Sequence, residues 1–142
     1  MPVLENSVAE FIERWKHHTT RVTLYPQLEG SPLLEIAVGG RVLYLLDRVG
    51  PYAAKPGETT MIVNPMTETV FAVDLTEASL TITGISAIEA VGQVLEVSRD
   101  FVVIQARLPL VVGVLDQSWK VISVGQRVSF VSLEPIHGFL TH

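Results

Sequence analysis

The last third of the chain constrains the fold most. Val91-Gly92-Gln93-Val94 opens a strand, Phe101 to Ala106 returns, Leu110 to Leu115 follows, and Val124-Gly125-Gln126-Arg127-Val128-Ser129-Phe130 closes the set. Short strands in that order suggest a small closed barrel. Ala87 to Ser98 is long for a single strand, and Gly92 interrupts its alternation, with Ile88 and Ala90 on one face before it and Leu95 and Val97 on the other after it. A glycine inside a long strand marks a bulge or sharp bend, which lets one strand serve both sides of a small barrel. Pro109 suits the first position of a strand, where no ladder donor is needed.

Upstream the pattern is also mostly β. Beyond Thr19 the apolar period becomes two: Val22 and Leu24 alternate with Thr23 and Tyr25, and Leu34, Ile36 and Val38 share one face after the turn-rich Gln27 to Pro32. Gly39-Gly40 predicts a tight hairpin into Arg41 to Asp47, because two glycines suit a turn whose central residues need positive φ. Thr60 to Val63, Thr69 to Leu75 and Leu80 to Thr83 read as further strands, separated by Asn64-Pro65 and Thr76 to Ser79. Arg48 to Glu58 carries Gly50-Pro51 and Pro56-Gly57 and exceeds the usual hairpin loop, which makes it a candidate functional loop or a plain crossover.

One helix precedes the strands. Val8, Phe11, Ile12 and Trp15 fall on one face of a helix from about Ser7 to His17. Ser7 and Glu10 have capping-box spacing, and Arg14, Lys16, His17 and His18 collect where the helix dipole favours cations. The expected fold class is mainly β: small antiparallel barrel(s) with one N-terminal amphipathic helix. Residues 1–86 form the helix and an antiparallel meander, residues 87–142 a barrel region, and Gly84 to Ser86 is the joint. At 142 residues the two are expected to pack as one compact unit.

Composition bears on partners. The chain is 48% apolar and 18% charged, with a mean hydropathy of +0.39, against about 25% charged residues in an average soluble domain. Part of that apolar surface is expected in a homo-oligomer interface, with Phe11, Ile12 and Trp15 laid against the chain's own barrel or a neighbour's. A core dense in Val, Ile and Leu raises hydropathy without a partner too. Ten Lys and Arg against fifteen Asp and Glu give a net charge of −5, which disfavours nucleic acid as a general partner.

With no cysteine, disulfides, thiolate metal sites and thiol nucleophiles are excluded. Met1 to Trp15 lacks a basic start and an apolar run, so it does not read as a secretory signal. No apolar stretch approaches the roughly 20 residues that span a bilayer. A cytoplasmic protein without membrane contact is the expectation.

The glycine-bent strand, the hairpin, the connection and the strand entered through Val124 to Val128 resemble the OB-fold group of five-stranded barrels, with its S1-like and TOBE-like variants, over Ala87 to Pro135. The resemblance implies a ligand surface on the second and third strands and flanking loops. Those positions are Phe101, Val103, Gln105, Arg107, Trp119 and Lys120. An OB barrel holding single-stranded nucleic acid offers several stacking aromatics and a basic groove. Here only Phe101, Trp119 and Phe130 are aromatic.

Catalytic signatures are missing. His17, His18, His137 and His142 make no His-x-x-x-His or His-x-His pair, so no metal and no cofactor is expected. His137, in Pro135-Ile136-His137-Gly138-Phe139, reads as a turn histidine or one facing a pocket. There is no Gly-x-Ser-x-Gly elbow, no phosphate loop and no dinucleotide fingerprint. The expectation is a non-catalytic β-barrel interaction module that self-associates. The alternatives are an OB-type binder of single-stranded nucleic acid and a small-molecule or anion-binding domain, the latter near Arg48 to Glu58.

Overall fold

The computed structural model describes residues 7–27, 30–50 and 55–141. Helix α1 (Val8–Trp15) runs into a 3-10 turn at Lys16–His18. The strands are β1 (Thr20–Leu24), β2 (Leu33–Val38), β3 (Arg41–Asp47), β4 (Gly57–Thr67), β5 (Phe71–Ala72), β6 (Ser79–Gly84), β7 (Ala87–Ser98), β8 (Phe101–Gln105), β9 (Pro109–Val114), β10 (Arg127–Val131) and β11 (Leu133–Leu140). The fold is mainly β with one N-terminal helix, in agreement with the sequence pattern.

Five strands close a barrel. β1 pairs with β2, β2 with β3, β3 with β11, β11 with β4, and β4 returns to β1. Every pairing is antiparallel except β3 with β11. The closed ring therefore draws four strands from residues 20–67 and only β11 from the last third, where the sequence had suggested the whole barrel would lie. Its first hairpin is the expected one, with Gly39 and Gly40 at φ 57° and 77° between Val38 and Arg41. Two local expectations fail along the ring. Asn64-Pro65 does not break the chain, since β4 runs straight through it, and His137 lies in strand β11 rather than in a turn. Gly138 admits β11 to its slot: a Cβ there would stand 3.0 Å from Met61 Cε and 3.1 Å from Leu45 Cβ.

The strands of the last third repeat the path. In the ring the spatial order is β4-β1-β2-β3, and beyond it the order is β10-β7-β8-β9. Both place the fourth strand beside the first, which is a Greek key. The fifth place, taken in the ring by β11, is taken in the second set by two short pieces. Met66 and Thr67 of β4 run parallel to Gly113 and Val114 of β9, and Phe71 and Ala72 of β5 pair with Ser129 and Val128 of β10. Of the expected strand Thr69 to Leu75 only this β5 is strand.

Gly92 stands where β7 exchanges partners. Val91 is the last residue paired with β6, and Gln93 the first paired with β8. A Cβ at Gly92 would lie 2.3 Å from the Gln105 carbonyl oxygen and 2.6 Å from Ile104 Cγ2. The expected bend is thus a close approach of two backbones. Gly84 to Ser86, expected as a joint, is the tight turn of the β6–β7 hairpin.

One apolar cluster runs through both strand sets, from Val22, Ile36 and Leu45 to Ile104, Val112 and Phe130. A second lies under α1, where Phe11 and Trp15 meet Ile62, Phe101, Val103, Val111 and Phe139. Phe11 stacks on Phe139 with centroids 4.3 Å apart and tilts against Phe101 at 5.7 Å. The Ser7 hydroxyl caps the helix by accepting from Glu10 N at 3.1 Å. Arg14 lies over Phe101 at 5.0 Å and reaches Ser98 Oγ, and His18 Nε2 sits 3.0 Å from Glu96 Oε1. The helix thereby lies against its own sheet, across β8, β9, β4 and β11.

Candidate binding groove

The face that the OB resemblance implied is covered. Outward-pointing Phe101 and Val103 on β8 and Val111 on β9 form the floor on which α1 sits, and Phe101 retains 2% of its accessible surface. Gln105 is exposed at the end of β8, opposite Pro109. Arg107 is exposed in the following turn, with φ 71° and Ala106 N donating to Leu108 O across it. Trp119 is half-buried in a 3-10 turn, Ser118–Val121, and packs on the main cluster, with Lys120 Nζ 5.7 Å from its ring centre. Phe101 and Trp119 belong to different clusters, so they do not share one stacking surface.

His137 is buried on the outer face of the ring. Its Nδ1 lies 3.0 Å from Arg48 Nη1, and the Arg48 guanidinium also lies 5.4 Å from the centre of Phe139. Asn64 is its cross-strand neighbour on β4. Asp47 opens the loop after β3 by accepting from Val49 N and Gly50 N, each at 3.0 Å. Within Arg48 to Glu58, residues 51–54 lie outside the described residues, as does His142. Among the described residues no group of three or more His, Asp or Glu is placed to hold a metal ion. Among the described residues no helix is long and apolar enough to cross a membrane.

The open counterpart of the covered face lies on β2 and β3. Alternation buries Leu34 and Ile36 in the barrel and turns Leu33 and Glu35 outward, and the register sets Tyr44 of β3 opposite Glu35. The β1–β2 loop rises beside them. Its shape is held by Gln27 Nε2 donating to Ser31 O at 2.6 Å and by Ser31 Oγ accepting from Leu33 N at 3.2 Å. On the far side the Ser86 hydroxyl donates to Tyr44 O and accepts from Ile136 N at 2.9 Å, which fixes the β6–β7 turn at the rim. The result is a groove of about 350 Å³ lined by Pro26, Gln27, Ser31, Leu33, Glu35, Tyr44 and Ile85. Ile85 is 70% exposed, and among the described residues Glu35 is the one charged lining residue. A smaller groove of about 220 Å³ lies at the start of β5, between Phe71, Val131 and Leu133.

Sequence reasoning did not single out Tyr44, Glu35 or Ile85. The available signal was the outward parity of Glu35 and Tyr44 on the two strands of the Gly39-Gly40 hairpin. Comparison with protein-family models, with curated proteins and with solved structures finds no match.

Proposed function

We propose that the protein is a non-catalytic protein-interaction module built on two barrels of the OB type, and that the β2–β3 groove is its binding face. The observation that carries this is the contrast between two equivalent faces. The second-and-third-strand face of the β7–β10 set is filled by α1, whereas the same face of the ring is open. In barrels of the OB group that face and the loops beside it take the ligand. Here the groove combines it with the loop between the first two strands and with the β6–β7 turn.

The lining selects the ligand class. Leu33, Tyr44 and Ile85 offer apolar surface, Gln27 and Ser31 a polar edge, and Glu35 a negative charge. A phosphate backbone needs cations, and none lines the groove among the described residues. An extended protein segment that places one apolar side chain on Tyr44 and Ile85 and a Lys or Arg beside Glu35 fits it. A volume of about 350 Å³ falls at the small end of ordinary ligand pockets, roughly 300 to 1,000 Å³.

Selection of displayed peptides on the full chain tests the reading. Enriched sequences are expected to pair an apolar residue with a cation, and to lose about tenfold or more in affinity for Glu35→Lys and Tyr44→Ala. Peptides that bind both variants as well as the parent would overturn it. So would salt-sensitive oligonucleotide binding that depends on Trp119 or Lys120.

A further inference from the structure

We infer that the cation taken by the groove is an arginine side chain, held between Tyr25 and Tyr44 and forked onto the Glu35 carboxylate. The inference rests on the groove reading and adds to it a choice of arginine over lysine and a residue, Tyr25, outside the lining.

Three outward side chains form a row across the ring. Glu35 of β2 pairs with Tyr44 of β3, and on its other side Tyr25 N donates to Glu35 O at 2.9 Å, continuing the β1–β2 register by one residue. Tyr25 follows the buried Leu24, Glu35 lies between the buried Leu34 and Ile36, and Tyr44 lies between the buried Leu43 and Leu45. All three therefore point away from the barrel. Neighbouring strands lie about 4.8 Å apart, so the carboxylate stands between two aromatic rings within a span of about 10 Å. Tyr25 is 38% exposed, and Glu35 and Tyr44 are half-buried.

The row lacks a cation of its own. Among the described residues the acids in ion pairs are Glu13, Glu58 and Glu96, and nothing donates to the Glu35 carboxylate. A carboxylate drawn part-way out of water and flanked by aromatic rings suits a cation supplied from outside.

The hydrogen-bonding sense of the edge chooses the cation. Ser31 O can only accept, so the bond from Gln27 holds that amide with Nε2 towards Ser31 and leaves its Oε1 without a partner among the described residues. The Ser31 hydroxyl is taken up by Leu33 N. Together with the Glu35 carboxylate the edge offers acceptors in more than one direction, and the tyrosine hydroxyls can turn either way. A guanidinium answers with five N–H donors in one plane and with faces that stack on aromatic rings, whereas an ammonium is a compact, strongly hydrated charge. In the next row Thr23, Ala37 and Val42 are short, which leaves the arginine stem a way in. The Ile85 side of Tyr44 stays free for the apolar side chain.

Calorimetry of the full chain with a display-selected peptide, synthesised with its cation as arginine, lysine or citrulline, tests the proposal. Citrulline keeps the shape of arginine and loses the charge. The arginine form is expected to bind about tenfold or more tighter than either of the others. Glu35→Gln should bring the arginine form down to the citrulline level. Tyr25→Leu should weaken the arginine form about threefold and the citrulline form much less. Neither replaced side chain is fully buried, so both variants should melt near the parent's temperature. Selection that settles on lysine or on no cation, equal binding of the arginine and lysine forms, or an arginine preference that survives Glu35→Gln would each overturn the proposal, as would a Tyr25→Leu variant that weakens neither form. In those cases the groove reading stands if Tyr44→Ala still removes binding. Binding that survives Tyr44→Ala, or a selection that yields no peptide, brings down the groove reading and this proposal with it.

Discussion

Asn64 Nδ2 donates to the Val111 carbonyl at 2.6 Å, and this side-chain bond links β4 to β9 where the next residue on β4 is a proline. Pro65 has no N–H to give to a ladder. The parallel pairing of β4 with β9 begins only at Met66 with Gly113. The amide of Asn64 supplies a donor at the point where the ring passes into the second Greek key. Replacing it with alanine leaves the Val111 carbonyl unpaired in a fully buried site. Asn64→Ala is expected to cost about 1 to 3 kcal/mol, read from the urea midpoint at constant slope.

Phe11 is the keystone of the helix contact, packed on both Phe101 and Phe139. Phe11→Ala removes a buried ring and opens the covered β8–β9 face. The expected loss is about 3 to 5 kcal/mol in chemical unfolding. Ile12→Ala, at a half-buried position of the same helix, should cost much less.

Gly92 tolerates no side chain. The Gln105 carbonyl that a Cβ would strike belongs to backbone and cannot swing away. Gly92→Ala is expected to lower the melting temperature by several degrees, corresponding to about 1 to 3 kcal/mol. Gly125→Ala is the instructive comparison: nothing lies within 4 Å of its Cβ position, and its cost comes only from a φ of 93°.

Asp116 links stability to pH near the acid end. The Ser118 hydroxyl, and then the Ser118 backbone N–H, hold its carboxyl below the usual value of 3.8. A lowered folded-state pKa means that the contribution is present above 3.8 and disappears as pH falls through the lower folded value. Asp116→Asn should therefore differ from the parent by a constant offset between about pH 5 and 8, and the gap should close below about pH 4. Urea unfolding across that range checks it.

Local physics was legible in the sequence and long-range closure was not. The helix could be read because Val8, Phe11, Ile12 and Trp15 repeat at one period, and the β2–β3 hairpin because two adjacent glycines admit positive φ. Only Thr60 to Val63 of β4 could be read, because Met61 to Thr67 are all buried, facing the barrel on one side and α1, β9 and the second strand set on the other, so alternation is lost and Asn64-Pro65 looks like a break. β11 escaped because Pro135 and His137-Gly138 carry turn-like residues into a strand that needs the glycine for space. The two Greek keys share a path without shared residues, so no sequence repeat announces them. The groove was hidden for a related reason: the loop after Leu24, Tyr44 and Ile85 come together only through Ser86, whose hydroxyl ties the later hairpin to β3.

The central claim is that the open β2–β3 face, and not the helix-covered β8–β9 face, meets the partner. Backbone amide shift mapping of the full chain with a display-selected peptide tests it most directly. Shifts are expected to concentrate at Tyr25, Gln27, Ser31, Leu33 to Glu35, Tyr44 and Ile85. Shifts confined to Gln105, Arg107, Trp119 and Lys120 would contradict it.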